Sequence, residues 1–424
     1  MKVYIETYGC ALNKSDEALM ISALMSRGHR VVDTIDEADV VVVNTCTVRL
    51  DTEYKMISRI RELHKLCSET GKKLIVAGCM TKVQPYTVSL VAPSASLVSP
   101  QNAGRIHVAV ESKNRVVLLE GKRERNLIGV CQGKITPIAV QEGCLGNCTF
   151  CIAKYARREL VSHSIEAITS AVKKAVEQGA VEIELTGMDL GTYGLDLYRR
   201  RALPDLLRTL VNIEGNYRIR IGMINPEHFR YILDDLVDVL KTSSKVYKFL
   251  HIPLQSGSDK VLKLMGRRYS VDEYKSFVKE IKRKIPNVSI ATDIIVGFPG
   301  EEEEDFECTI KVIKELEFER VHLASYSIRP LTLAASMKQI NTRVKKSRMR
   351  RALEVILTVG LKVREQYIGR VVEGYITEKT DNWIARLDNY IPVVLKTSRN
   401  VDFGDIVKVF VDEATFFDLR GRVI

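Results

Sequence analysis

The sequence is short of the features that would place it in a specialised class. Nowhere in its 424 residues is there an apolar run of the roughly 18 residues that a membrane-crossing helix needs. Its start, "MKVYIETYGC", lacks the basic region, apolar stretch and small-residue cleavage site of a secretion signal. A soluble, cytoplasmic protein with no membrane partner is expected. Low-complexity and collagen-like segments are absent, which excludes a fibrous or disordered class. Nine cysteines are too sparse over this length for a disulfide scaffold, and in a reducing compartment clustered thiols bind metal or do chemistry. With 46% apolar and 28% charged residues, the chain is long enough for about three packed units.

What is present begins with the charge. The net charge of +11 is concentrated in residues 341–370, "NTRVKKSRMRRALEVILTVGLKVREQYIGR", where nine Lys and Arg face only Glu354 and Glu365. Leu353, Ile356, Leu357 and Leu361 recur there at helical spacing, so a basic amphipathic helix is expected over 341–362. Its charge is either a solvated face or a phosphate-binding stripe, with Arg348, Arg350 and Arg351 as the candidate contacts.

The rest divides by rhythm. Residues 1–110 alternate apolar runs ("KVYIETY", "ADVVVVNT", "KKLIVAG") with helical stretches, the pattern of a parallel sheet with crossover helices. Residues 111–135 lose it and read as a connector. From 130 to 340 six further runs, "PIAVQEG", "VEIELTG", "YRIRIGM", "YKFLHIPL", "VSIATDIIVGF" and "ERVHLASYS", predict a (β/α)6 partial barrel. Residues 363–424 are short β-rich runs without a helix, which suits a small all-β barrel.

The cysteines fall at chosen places on this skeleton. Cys10, Cys46 and Cys79 each follow an apolar run directly, at the carboxyl edge of the expected sheet, where open α/β sheets bind ligands. The plainer alternative is three buried cysteines acting as small apolar residues. Cys67, Cys131 and Cys308 read as structural. "EGCLGNCTFC" puts Cys144, Cys148 and Cys151 in a loop at the barrel mouth. Zinc usually takes four protein ligands, and only His163 offers itself as a fourth. Three thiolates on a four-iron cluster instead leave one iron open to a small molecule, which suits this spacing better.

"CLGNCTFC" resembles the CxxxCxxC signature of radical S-adenosylmethionine enzymes. That resemblance implies a 4Fe-4S cluster on Cys144, Cys148 and Cys151, an open iron that chelates S-adenosylmethionine, and Phe150 near the adenine. "ETYGCALNKSDE", "VNTCTV", "AGCM", "HIPLQSGSDKVLKLMGRRY", "DIIVGFPGEEEEDF" and "YSIRP" together resemble the methylthiotransferases over nearly the whole chain. This implies a second 4Fe-4S cluster on Cys10, Cys46 and Cys79, and a C-terminal TRAM-like RNA-binding domain with Arg386 and Tyr390 among its contacts. It further implies cofactor contacts from Thr186, Gly187 and Asp189 of "TGMD", Arg220, Gln255, and Val296 and Gly297 of "VGFPGE". Met188 stands where the family more often has an acidic or amide residue, and Leu331 replaces the glycine usual after "RP". For His251 a structural or orienting role is expected.

The family acts on tRNA adenosine carrying threonylcarbamoyl, on tRNA adenosine carrying isopentenyl, or on a ribosomal-protein aspartate. "YIETYGCALNKSD" and "IGMINP" look most similar to the first branch, which implies the anticodon stem-loop of tRNA as partner and position 37 as target. Against a purely electrostatic RNA grip, residues 371–424 carry seven Lys and Arg against nine Asp and Glu, so Tyr375, Trp383, Arg386 and Tyr390 would have to work by stacking. A non-enzymatic iron-sulfur carrier is the alternative of another class. The electron donor and the sulfur source are not legible.

Overall fold

The computed structural model describes residues 1–397 and 400–424. The first unit is a six-stranded parallel sheet in the spatial order Arg30–Val32, Lys2–Thr7, Val40–Thr45, Lys73–Gly78, Ser96–Val98 and Val117–Leu118. Its central strand shows why the pattern reads as a buried run. Val40 and Val42 meet Leu19, Met20 and Ile106 on one face, while Val41 and Val43 meet Met56, Ile60 and Leu63 on the other. A strand covered by helices on both sides has no wet face and so no alternation. The last strand, Val117–Leu118, lies in the stretch read as a connector, so the sheet runs past residue 110.

The second unit is the expected open barrel. Strands Ile135–Ala139, Glu182–Thr186, Arg218–Ile221, Phe249–His251, Ser289–Val296 and Arg320–Ser325 lie side by side in sequence order. Two isolated bridges, Ile219 to Val246 and Met223 to His251, join its halves. The first strand would expose an unpaired edge, but helix Ala11–Met25 of the sheet domain packs beside it and the Ala139 N–H donates to Ser15 Oγ at 3.2 Å.

The basic helix spans Thr342–Glu365 and packs on the last strand and on helix Glu303–Leu316. Gly360 does not end it. A Cβ there would stand 2.6 Å from the Phe416 ring, so glycine serves the close passage of the C-terminal unit. That unit is a closed barrel in the order Val371–Lys379, Trp383–Leu387, Pro392–Lys396, Leu419–Val423, Ile406–Ala414. It seats on the amino ends of the central strands through Tyr375 Oη to Asn216 O (2.8 Å), Lys248 N to Asp388 O (2.7 Å) and Asn216 Nδ2 to Gly404 O (2.7 Å).

Candidate active site

Cys10 caps helix Ala11–Met25, Cys46 follows strand Val40–Thr45, and Cys79 opens helix Cys79–Val83 after strand Lys73–Gly78. The sheet order reverses between the strands that Cys10 and Cys46 follow, and loops diverge at such a switch point to leave a crevice. Two glycines let the backbone close around it. Gly9 has φ +108°, and a Cβ there would lie 3.0 Å from Cys46 Sγ; Gly78 has φ +91° and no room against Thr45. Burial raises the pKa values of both Cys46 and Cys79, and Cys10 is near enough to add to the rise at each.

Cys144, Cys148 and Cys151 sit on the loop after the first barrel strand. Gly146 lies in their midst, where a Cβ would stand 3.3 Å from Cys144 Sγ and 3.8 Å from Cys148 Sγ, and the Gly146 N–H donates to Cys144 Sγ at 3.2 Å. Burial pushes Cys144 and Cys79 up to about 12, and Cys151 and Cys46 upward as well. Such thiols keep their protons until a cation replaces them, which is the behaviour of metal ligands that release protons on loading. Both trios therefore have the donor set and the glycine-lined room of an iron-sulfur site. His163 stands apart from the trio: its Nδ1 accepts the Asn126 N–H at 2.8 Å, burial lowers its pKa to about 4, and the charges acting on it are Arg123, Arg125 and Asp196, not the thiols.

The two trios are neighbours. The short helix Cys79–Val83 packs on the short helix Ala153–Ala156 that follows Cys151, with Val83, Ile152 and Ala156 between them. Beside this contact opens a cavity of about 570 Å³, lined by Phe150, Cys151, Gln255, Ile295, Tyr326 and Arg329 of the barrel and by residues 48–51, which follow Cys46. Two buried arginines that the sequence reading missed serve the sulfurs. Arg157 Nε donates to Cys79 Sγ at 3.4 Å and Nη2 to Asn13 Oδ1 at 3.1 Å; Arg267 Nη1 donates to Cys148 Sγ at 3.3 Å. Arg267 lies within "HIPLQSGSDKVLKLMGRRY" itself, and Arg157 stands in "YARRE", six residues past Cys151.

The other expected positions divide. Phe150 lines the cavity and packs edge-on against Phe298 at 6.3 Å, and Gln255 lines it with the uncommon φ of +71°. Thr186 ends its strand at the mouth, and Gly187 is pressed against Gln141, where a Cβ would meet Cγ at 2.8 Å. Asp189 stands close enough to raise the Cys144 pKa, but its carboxylate is spent on Gly191 N, Asn225 N and His228 Nδ1, so it positions the loop carrying Asn225. Val296 is fully buried in the core on the same strand face as Ile294, and Ile295, on the opposite face with Asp293, turns to the cavity. Gly297 approaches the Lys345 stem of the long helix.

Three expectations are corrected outright. Arg220 is not at the mouth: it bonds Glu184 at 3.1 Å near the amino ends of the strands, beside the rings of Phe249 and Tyr390. Arg386 and Tyr390 are not an RNA surface, because Tyr390 Oη donates to Glu182 Oε1 at 2.7 Å and Arg386 pairs with Glu378 beneath it, sealing the two barrels together. Arg348 is buried against Glu301 at 2.8 Å, and Arg351 pairs with Glu303 and Glu307, so of the expected stripe only Arg350 stands free. Cys67 is buried as expected, Cys131 Sγ rests 3.5 Å from Lys14 O, and Cys308 is exposed.

Comparison with known proteins agrees with this architecture. Residues 2–99 match the uncharacterized protein family UPF0004, residues 138–313 the radical SAM superfamily, and residues 365–424 the TRAM domain. A Pyrococcus horikoshii protein described as a "probable threonylcarbamoyladenosine tRNA methylthiotransferase" is 39% identical over the whole of both chains. The human threonylcarbamoyladenosine tRNA methylthiotransferase is 32% identical, over all of this chain and 74% of that one. A Fusobacterium nucleatum tRNA-2-methylthio-N(6)-dimethylallyladenosine synthase is 33% identical over the whole of both. Among solved structures, a radical S-adenosylmethionine methyltransferase from Kitasatospora setae, with cobalamin and a 4Fe-4S cluster bound, superposes with TM-score 0.57 at 13% identity, covering 87% of this chain and 78% of that one, a likeness of fold alone. Among the described residues no helix is long and apolar enough to cross a membrane. Full-length identity of this order to named enzymes, together with a radical SAM domain over residues 138–313, shows that the chain belongs to the radical S-adenosylmethionine tRNA methylthiotransferases.

Proposed function

We propose that the chain installs a methylthio group on threonylcarbamoyladenosine at position 37 of tRNA, gripping the anticodon stem-loop. The observation that carries this reading is one cavity lined by Cys151 of the first three-thiol site and by residues 48–51, which follow Cys46 of the second, with the short helices that carry Cys79 and follow Cys151 packed together beside it. Cys144, Cys148 and Cys151 would hold one 4Fe-4S cluster and Cys10, Cys46 and Cys79 a second; when bound, the first with S-adenosylmethionine supplies a radical able to activate an unreactive C–H, and the second holds the sulfur. The chain's own residues do the rest. Gly9, Gly78 and Gly146 leave room at the sulfurs, Arg157 and Arg267 hold them by N–H donation, and Phe150 and Ile295 give the cavity apolar walls that exclude water. A cavity of this kind has no use in an iron-sulfur carrier. The threonylcarbamoyl branch is favoured over the isopentenyl branch by the 36–39% identity of its archaeal members against 33%.

Nucleoside mass spectrometry of tRNA from a deletion strain tests the substrate. The methylthiolated threonylcarbamoyladenosine should vanish while its precursor accumulates; loss of the methylthiolated isopentenyl nucleoside instead would move the enzyme to the other branch, and unchanged tRNA would point to the ribosomal protein. Anaerobic reconstitution should give about eight irons per chain, and about four after joint replacement of Cys10, Cys46 and Cys79 by Ala. A wild-type value near four, indifferent to that replacement, would sink the two-cluster reading.

A further inference from the structure

A second, smaller cavity lies toward the amino ends of the barrel strands, at the seam with the C-terminal barrel. It measures about 190 Å³, and four arginines line it: Arg220 and Arg320 from barrel strands, Arg364 from the long helix and Arg386 from the C-terminal barrel. That is below the roughly 300 Å³ at which pockets for drug-sized ligands begin, but enough for one tetrahedral oxyanion.

The charges here do not balance. Arg220 is neutralised by Glu184 at 3.1 Å and Arg386 by Glu378. Arg364 is 4% exposed and has no ion pair among the described residues; its Nη1 and Nη2 donate only to the carbonyls of Gly360 (3.0 Å) and Glu319 (2.9 Å). The carboxylates that act on it are taken. Glu319 accepts from Lys282 at 3.4 Å and from the Ile290 N–H at 2.6 Å, and Asp418 pairs with Arg420 at 3.2 Å. The Arg320 side chain has neither an ion pair nor a hydrogen bond among the described residues, and burial, then Arg386 and Arg220, lower its pKa. Two guanidinium charges are left over. Unused donors converge on the same space: Nε of Arg220, Arg364 and Arg386 and the Ser289 hydroxyl all belong to lining residues and are buried without a partner. A buried charge without a counter-charge is costly, and the planar N–H fork of arginine matches the oxygens of a phosphate.

We propose that the seam is an anion site, in which Arg320 and Arg364, with the Ser289 hydroxyl, hold one phosphate-class oxyanion that ties the C-terminal barrel to the central one. The oxyanion is free phosphate or a backbone phosphate of the bound RNA. The site is separate from both thiol trios and does not depend on which adenosine is modified. The test melts the anaerobically reconstituted full chain in low-millimolar inorganic phosphate and in chloride of the same ionic strength, so that screening is held constant. Wild type should melt about 2 °C higher in phosphate, as an ion that binds only the folded state requires. Arg320→Gln, at an exposed position that folding tolerates, and Arg364→Met should each lose that gain. A gain kept by Arg320→Gln would be a general salt effect and would overturn the proposal, as would the absence of any gain in wild type. Affinity for an anticodon stem-loop, read by fluorescence anisotropy in the same two buffers, identifies the source. If the RNA supplies the phosphate, inorganic phosphate should weaken binding to wild type severalfold and leave Arg320→Gln unaffected. If free phosphate is the occupant, wild type should bind the stem-loop equally in both buffers.

Discussion

At the scale of single residues, the sulfur sites depend on arginine as much as on cysteine. Arg267 is buried, its fork spread over Cys148 Sγ, the Tyr269 hydroxyl and the Pro253 carbonyl, so its charge is aimed at one thiol of the first trio, the proposed cluster ligand Cys148. An N–H donor and a positive charge beside a ligating thiolate stabilise the more negative, reduced state of a cluster. Arg267→Met should therefore lower the midpoint potential of the reconstituted cluster by on the order of 60 mV, a tenfold shift for a one-electron couple, and Arg267→Lys should lower it less. A redox titration followed by electron paramagnetic resonance decides; an unmoved potential would return Arg267 to a packing role. Leu331 also shows a departure from the family absorbed at a residue: it takes φ +67°, the left-handed region that the usual glycine would enter freely. The cysteine trios were legible because each thiol ends a strand or belongs to one short loop. Arg157 was not, because its contact with Cys79 spans 78 positions and exists only once two domains meet.

At the scale of elements, the long basic helix shows what periodicity leaves out. Of the apolar residues expected to turn inward only Ile356 is buried, while Leu353 and Leu357 are exposed; the inward face runs through Ala352, Ile356 and Val359. Spacing also says nothing of a second face lying along the acidic start of helix Glu303–Leu316, where Glu301, Glu303 and Glu307 take up Arg348 and Arg351. Among the described residues, the exposed basic side chains of this helix without an ion-pair partner are Arg343, Lys346 and Arg350, at helical spacing of three and four, beside Met349, which lines the cavity. Replacing these three by Gln should weaken tRNA binding and reduce the slope of log affinity against log salt by about 2. Arg348→Met should behave differently. It leaves Glu301 buried without its partner, costing about 3 kcal/mol of stability in urea unfolding while the salt slope stays near wild type. If the triple variant keeps the wild-type slope, the helix is a solvated face and the stem-loop is held elsewhere.

At the scale of the whole molecule, buried ion pairs join the units, and composition gave no hint of which charges they would use. Arg123 and Arg157 share Asp16 of the sheet domain and Glu142 of the barrel, all four nearly inaccessible, and Arg329 reaches from the loop after the last barrel strand to Thr47 and Glu53 beside Cys46. The open edge of the barrel and the divergent loops of the sheet are thus fixed against each other, which keeps residues 48–51 and Cys151 in the lining of one cavity. The six strands were readable from their apolar runs, but the seat of the C-terminal barrel was not, since it is made of polar residues at strand starts. Its centre is Glu182, which accepts from Tyr390 and Tyr247 and is pushed up to about 7 by burial, with Arg386 pulling the other way. Unfolded, this carboxyl returns to its ordinary value of 4.5. The folded state therefore holds a proton that the unfolded state gives up across that interval, and this group's contribution to stability falls as pH rises from about 4.5 to about 7. The difference amounts to about 3 kcal/mol. Glu182→Gln keeps an acceptor for Tyr390 and removes the titration, so the variant should gain on wild type in urea midpoint between pH 5 and pH 7.5. An unchanged gap between the two proteins over that range would mean that Glu182 is ionised in its seat, with Arg386 as the group that holds its charge.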